Sequence, residues 1–217
     1  MLRVIESVKR PVAGCLACVA CVVLLTVLAC VVGPFERLDA TVLNHLSAHD
    51  SSLVAPAVVF FSLLADPLPQ MAVLVLVCAV ALCRGLPRLA VASVVLVAGA
   101  NLTTQVLKTV LSHDRYQPIL GYRQIGPTAF PSGHATASLA MACAFVLVVP
   151  PRWRVAAIVL GALATVAVGC SRVVRHYHYP SDVLGGWLVA AGWCFAVVAV
   201  LRASEPLRSD RGAQLAD

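Results

Sequence analysis

Long apolar runs, interrupted by short polar stretches, organise this chain. Six of them cover about residues 12–33, 67–83, 89–111, 133–149, 155–174 and 183–201. At a helical rise of 1.5 Å per residue, even a 17-residue run reaches ~25 Å, enough for a thin bilayer or an upright crossing. The runs are too many and too long for one soluble core. They predict an all-α integral membrane bundle of six transmembrane helices.

Residues 34–66, between the first and second runs, mix polar and apolar positions. Glu36 to Asp50, charged and bearing histidines, reads as an interfacial helix, and Val54 to Leu64 as an extension of the second span. The first run has about 22 apolar residues, longer than the core of a signal peptide. A retained spanning helix is therefore expected, although Val27-Leu28-Ala29-Cys30 loosely resembles a lipoprotein cleavage site. The whole of 1–217 reads as a single membrane-embedded domain, with 202–217 as a cytoplasmic tail.

Composition supports the membrane reading. The chain is 60% hydrophobic and 12% charged, half the charged share of an ordinary soluble domain. Its net charge of +6 does not imply nucleic acid, because the basic residues are scattered beside apolar runs and form no stripe. Only Lys9 and Lys108 are lysines, an arginine bias that, with abundant Ala and Val, fits a GC-rich bacterial genome. The nine cysteines fall in or beside apolar runs and read as small packing residues. Cys15, Cys18 and Cys21 have a cluster-like spacing, but no fourth ligand follows them.

Charge also orients the bundle. With the N-terminus in the cytoplasm, ten basic residues fall inside and six outside. Five of those six (Lys108, Arg115, Arg123, Arg172 and Arg175) belong to a candidate site, which leaves a clear positive-inside pattern. Both termini are then cytoplasmic, in a multi-pass cell-membrane protein, and all six histidines lie on the outer side. Asn101-Leu102-Thr103 sits mid-span, out of reach of glycosylation. Gly161, Thr165 and Gly169 form a small-residue stripe suited to helix packing.

Three segments carry the candidate chemistry. Lys108 to Arg115 closes the third run, Pro131-Ser132-Gly133-His134 opens the fourth, and Ser171 to Asp182 joins the fifth to the sixth. Lys108, Arg115 and Arg172 are cations at the membrane boundary, where an uncompensated charge is costly and a phosphate group would balance it. Ser132 is a natural N-cap, and Gly133 lets a ligand approach a helix start whose free amides attract anions. His134 and His178 offer a nucleophile and an acid for phosphoryl transfer. Asp182 can fix the tautomer of His178, with Ser181 expected to cap the sixth helix.

At these positions the chain resembles the type 2 phosphatidic acid phosphatase family, the lipid phosphate phosphatases, which share a site with vanadium haloperoxidases. The family pattern is Lys, six residues, Arg-Pro; then Pro-Ser-Gly-His; then Ser-Arg, five residues, His, three residues, Asp. Lys108 and Arg115, Pro131 to His134, and Ser171, Arg172, His178 and Asp182 match it, while Tyr116 replaces the family proline. The resemblance implies that His178 is the nucleophile, His134 the general acid and Asp182 the partner of His178. It also implies that Lys108, Arg115, Ser132, Gly133 and Arg172 bind phosphate, with no metal or cofactor required.

The implied reaction is hydrolysis of a membrane lipid phosphate or pyrophosphate through a phosphohistidine at the outer face. Candidate substrates are polyprenyl pyrophosphate, phosphatidic acid and phosphatidylglycerol phosphate. A phosphotransferase using a lipid or sugar acceptor, and a non-enzymatic transporter or binding protein, are the alternatives. Nothing in the pattern fixes an oligomeric state or assigns roles to His113, Asp114, Arg123, Arg175 and His176.

Overall fold

The structure is a computed structural model that describes residues 2–47, 55–114 and 125–204. Eight α-helices occur among these residues: α1 (Leu2–Val31), α2 (Gly33–Ser47), α3 (Ala55–Leu64), α4 (Pro67–Cys83), α5 (Pro87–Val110), α6 (Gly133–Val148), α7 (Arg154–Val174) and α8 (Pro180–Ala203). A single 3-10 turn, Pro151–Trp153, leads into α7, and the described residues contain no strand.

Four helices are long and apolar enough to cross a membrane: Glu6–Val31, Pro87–Val110, Pro151–Val174 and Pro180–Ala203. A fifth crossing is formed if α3 and α4, bent by 60° at their junction, count as one broken span. The fourth expected span, α6, has only 16 residues and is not among these candidates. The outward faces explain why such helices need lipid. Leu16, Val23, Leu76, Leu102, Leu160 and Leu163 are all exposed, an apolar belt far larger than water tolerates. The chain is thus an all-helical membrane protein with four to five candidate spans among its described residues.

Small residues let the helices close up. Ala81, Leu96, Ala100, Ala140, Ala144 and Ala190 are completely buried between α4, α5, α6 and α8, where short side chains bring backbones together. The α7 stripe works the same way. A methyl group on Gly161 would lie 2.9 Å from Ala142, and one on Gly169 would lie 2.6 Å from the Trp187 ring. Gly186 is the tightest of these approaches, because a methyl group there would strike the Ser132 carbonyl and come within 3.0 Å of Thr136 N. Glycine is required where α8 crosses the start of α6.

The short helix α2 packs on α1, α7 and α8. Its Ala40 and Leu43 are buried with Ala129, Ala135, Val173 and Tyr179, so it covers the segments that carry the motifs. Residues 48–54, which hold the end of the expected interfacial helix and the first residue of the expected extension, lie outside the described residues. At the opposite end of the bundle, arginines tie helix ends together. Arg84 donates to the Val148 carbonyl, Arg88 to the Ser204 carbonyl at 3.0 Å, and Arg202 to the Ser7 carbonyl at 3.0 Å.

Candidate active site

The end of α5, the start of α6, the end of α7 and the start of α8 meet at one end of the bundle. Ser132 occupies the N-cap of α6, and its hydroxyl accepts from Ala135 N at 3.4 Å. The Ser132 amide donates to the Asp182 carbonyl at 2.8 Å, which fastens the start of α6 to the first turn of α8. Gly133 faces the side chains of Lys108 and Gln105, each about 4 Å from where its methyl group would be. Lys108 Nζ donates to the Thr128 carbonyl at 2.9 Å.

The turn after α7 follows from its hydrogen bonds. The amide of Tyr177 donates to the Arg172 carbonyl at 3.0 Å and that of His176 to the Val173 carbonyl at 3.0 Å, the paired bonds of a Schellman closure. His176 takes the left-handed position, with φ 54°. The His178 amide also reaches the Arg172 carbonyl, at 3.3 Å, so the closure delivers His178 inward. Pro180 then opens α8 and leaves Tyr179 extended at the N-cap. Ser181 does not cap the helix as expected. Its amide and hydroxyl instead donate to Asp39 of α2, at 3.1 and 2.5 Å.

Asp182 lies in the first turn of α8, with no exposed surface. Its Oδ2 accepts from Tyr179 N at 2.9 Å and stands 3.5 Å from His178 Nδ1, beyond an ordinary hydrogen bond but within ion-pair reach. The positive end of α8 favours the carboxylate further. Burial pushes the His178 imidazole below its ordinary value; Asp182 opposes this, while Lys108 and Arg172 reinforce it. A neutral ring whose Nδ1 proton is directed at Asp182 has its lone pair on Nε2 and is a competent nucleophile.

Arg172 connects the two histidines. Its backbone carbonyl holds the His178 turn, while its guanidinium Nη2 donates to His134 Nδ1 at 3.1 Å. Nη1 donates to Ser62 Oγ at 2.6 Å, and the guanidinium lies 4.5 Å from the centroid of the Tyr177 ring. A guanidinium can only donate, so Nδ1 of His134 must accept and Nε2 carries the proton. That Nε2–H points to Asp66 Oδ1, 3.2 Å away.

Of the residues singled out by sequence, Lys108, Ser132, Gly133, His134, Arg172, His178 and Asp182 come together here. Arg115, Tyr116 and Arg123 lie outside the described residues. Elsewhere, Arg175 Nη2 donates to the Tyr177 hydroxyl at 3.4 Å, and His113 Nδ1 pairs with the Leu111 carbonyl at 2.8 Å. Sequence reading missed Ser62, Asp66 and Asp39. The signal available for Asp66 was an unpaired acidic residue at the edge of an apolar run, where charge is costly. The assembled site has a nucleophilic ring, a second ring with an orientable proton, fixed cations and a helix start open to an anion.

Comparisons with known proteins bear on the family and the fold. The family model described as the PAP2 superfamily matches residues 89–206. The chain is 41% identical over 75 residues to a protein named lipid A 1-phosphatase from Rhizobium etli, a stretch covering 35% of this chain and 30% of the relative. A protein of the same name from Rhizobium johnstonii is 40% identical over 73 residues, 34% of this chain and 28% of the relative. The chain therefore spans under a third of the length of either relative. Among solved structures, the transmembrane PAP2 type phosphatidylglycerolphosphate phosphatase of Bacillus subtilis superposes with a TM-score of 0.76 at 18% identity. The match covers 90% of this chain and 99% of that one, and it shows a shared fold.

Proposed function

The chain belongs to the PAP2 superfamily, and from that premise we propose that it hydrolyses a lipid phosphate or pyrophosphate through a phosphohistidine on His178. The observation that carries this reading is Arg172, whose carbonyl anchors the His178 turn while its guanidinium holds His134. One residue that can bind phosphate sits between the proposed nucleophile and the proposed acid.

In this scheme the lipid phosphate enters among Lys108, Arg115, Arg172 and the amides at Ser132 and Gly133. The His178 Nε2 lone pair attacks phosphorus while the bond to the leaving oxygen breaks, and His134 gives that oxygen a proton. Asp182 stabilises the cationic His178 ring. Water then attacks the phosphohistidine, passes its proton to His134 and releases phosphate. Fixed donors aimed at the phosphoryl oxygens stabilise the charge of the transition state. A cluster of cations facing the rings disfavours a divalent ion there, consistent with metal-independent chemistry.

An apolar cavity of about 180 Å³ supports a lipid substrate. It is lined by Leu64, Ala65, Gln70, Ser138, Met141 and Phe145, among others; Ala65 directly precedes Asp66 in the chain, and Ser138 lies one helical turn after His134. Part of a hydrocarbon chain fits there while its headgroup meets the cations. We read α3–α4 and α6 as completing six spans, α2 as interfacial and the termini as cytoplasmic, so the site opens at the outer face of a bacterial plasma membrane.

Relatives named for lipid A add one candidate substrate, and the fold neighbour is named for phosphatidylglycerol phosphate, one of the three already considered. The test is phosphate release by the purified protein in detergent, over a panel of these lipids and without any acceptor. The reading expects release from at least one of them, insensitive to chelator and inhibited by vanadate. No release from any lipid unless an acceptor alcohol is added would make the protein a phosphotransferase instead.

A further inference from the structure

Asp66 belongs to none of the three sequence motifs. It occupies the N-cap of α4, with φ −68° and ψ 156°, immediately before Pro67. An N-cap aspartate normally accepts from an amide of its own helix. Here the carboxylate makes no such bond and turns instead to His134 Nε2, 3.2 Å away on α6. Four residues earlier, Ser62 accepts from Arg172 Nη1 at 2.6 Å. The broken α3–α4 segment thus supports both members of the Arg172–His134 pair.

We propose that Asp66 is a positioning residue that fixes the ring of His134 and holds the proton this histidine delivers to the leaving oxygen. This rests on His134 being the general acid. In the free site the Arg172 guanidinium occupies Nδ1, so the ring is neutral and cannot yet act as an acid. A phosphate that draws Arg172 onto its own oxygens frees Nδ1 to take a proton from solvent. Asp66 then stabilises the resulting imidazolium.

As the phosphorus–oxygen bond breaks, the Nε2 proton passes to the leaving oxygen. The water that attacks the phosphohistidine returns a proton to Nε2, and Nδ1 gives up its own when Arg172 swings back. Several groups act on His134 from the surrounding elements. Arg172 of α7 and His178 of the following turn oppose a positive ring. Asp182 of α8 is engaged by His178 and Tyr179. The carboxylate in hydrogen-bond contact with the ring is that of Asp66.

The experiment compares Asp66→Asn, Asp66→Glu and His134→Ala with the unaltered protein, reading kcat, KM and the pH profile of kcat on a short-chain lipid phosphate in detergent. Asp66→Asn should lower kcat on the order of tenfold to a hundredfold, as loss of a partner that orients a working imidazole does. KM should stay near its original value, and the alkaline limb should move to lower pH because the imidazolium loses its counter-charge. Asp66→Glu should restore part of both. Unchanged kcat, or a reduced kcat whose alkaline limb stays in place, would overturn the assignment. Should Asp66→Asn not fold, an alkaline limb in Asp66→Glu identical to the original at lowered kcat would overturn it equally. Wild-type turnover by His134→Ala would instead remove the acid role on which the proposal stands.

Discussion

A histidine works as a nucleophile only while its ring is neutral, and the surroundings of His178 favour that state. Burial disfavours the charged ring, and Lys108 and Arg172 act in the same direction against Asp182. Protonation therefore requires a pH below the ordinary imidazole value of about 6.5. The acid limb of kcat/KM should accordingly lie below that value, measured on a lipid phosphate whose own ionisation is accounted for. An acid limb at or above it would mean that Asp182 outweighs burial in the free enzyme.

The motif residues were legible because their types and local spacing report their chemistry. Their partners were not. Asp66 and His134 are 68 positions apart, Ser62 and Arg172 are 110 apart, and Asp39 and Ser181 are 142 apart. Such pairings arise only when the helices pack. The expected cap at Ser181 failed for the same reason, since Asp39 arrives from α2 to take its hydroxyl.

At the scale of the element, apolar runs located the helix bodies and under-reached at the ends. The third and sixth runs were read from 89 and 183, whereas the helices start at Pro87 and Pro180. A proline at the first helical position needs no amide partner and has a preset φ, so each helix extends back to it. Proline also explains the break before α4. Pro67 disfavours helix at Asp66, which turns the expected extension of the second span into a separate helix bent by 60°.

The crossing of α8 over α6 yields a prediction at this scale. Gly186→Ala places a methyl group against the Ser132 carbonyl and Thr136 N. Overpacking of this kind costs about 1–3 kcal/mol, and it displaces the helix start that carries His134. A lowered Tm together with reduced turnover is expected in detergent. A variant with unchanged Tm and rate would show that the crossing is looser than the structure has it.

On the scale of the whole molecule, one end gathers the reactive groups and the other is bound by Arg84, Arg88 and Arg202. The proposed six crossings with the basic end inward would place both termini in the cytoplasm. Green fluorescent protein fused after the last residue should then fluoresce in bacterial cells, and a secreted phosphatase reporter fused there should be inactive. The opposite result would mean either an odd number of crossings or a reversed bundle. Composition and run length made the membrane class legible. The short α6 and the broken α3–α4 kept the number of crossings from being legible in the same way, because neither crosses as one long straight helix.

The proposed covalent step on His178 is tested most directly by trapping. The purified protein is mixed with a lipid carrying labelled phosphate, quenched within milliseconds in alkali, and digested for mass spectrometry. An alkali-stable, acid-labile phosphoryl group on the peptide containing His178, absent from His178→Ala, is the predicted result. Label on another residue, or full turnover by His178→Ala, would contradict the account.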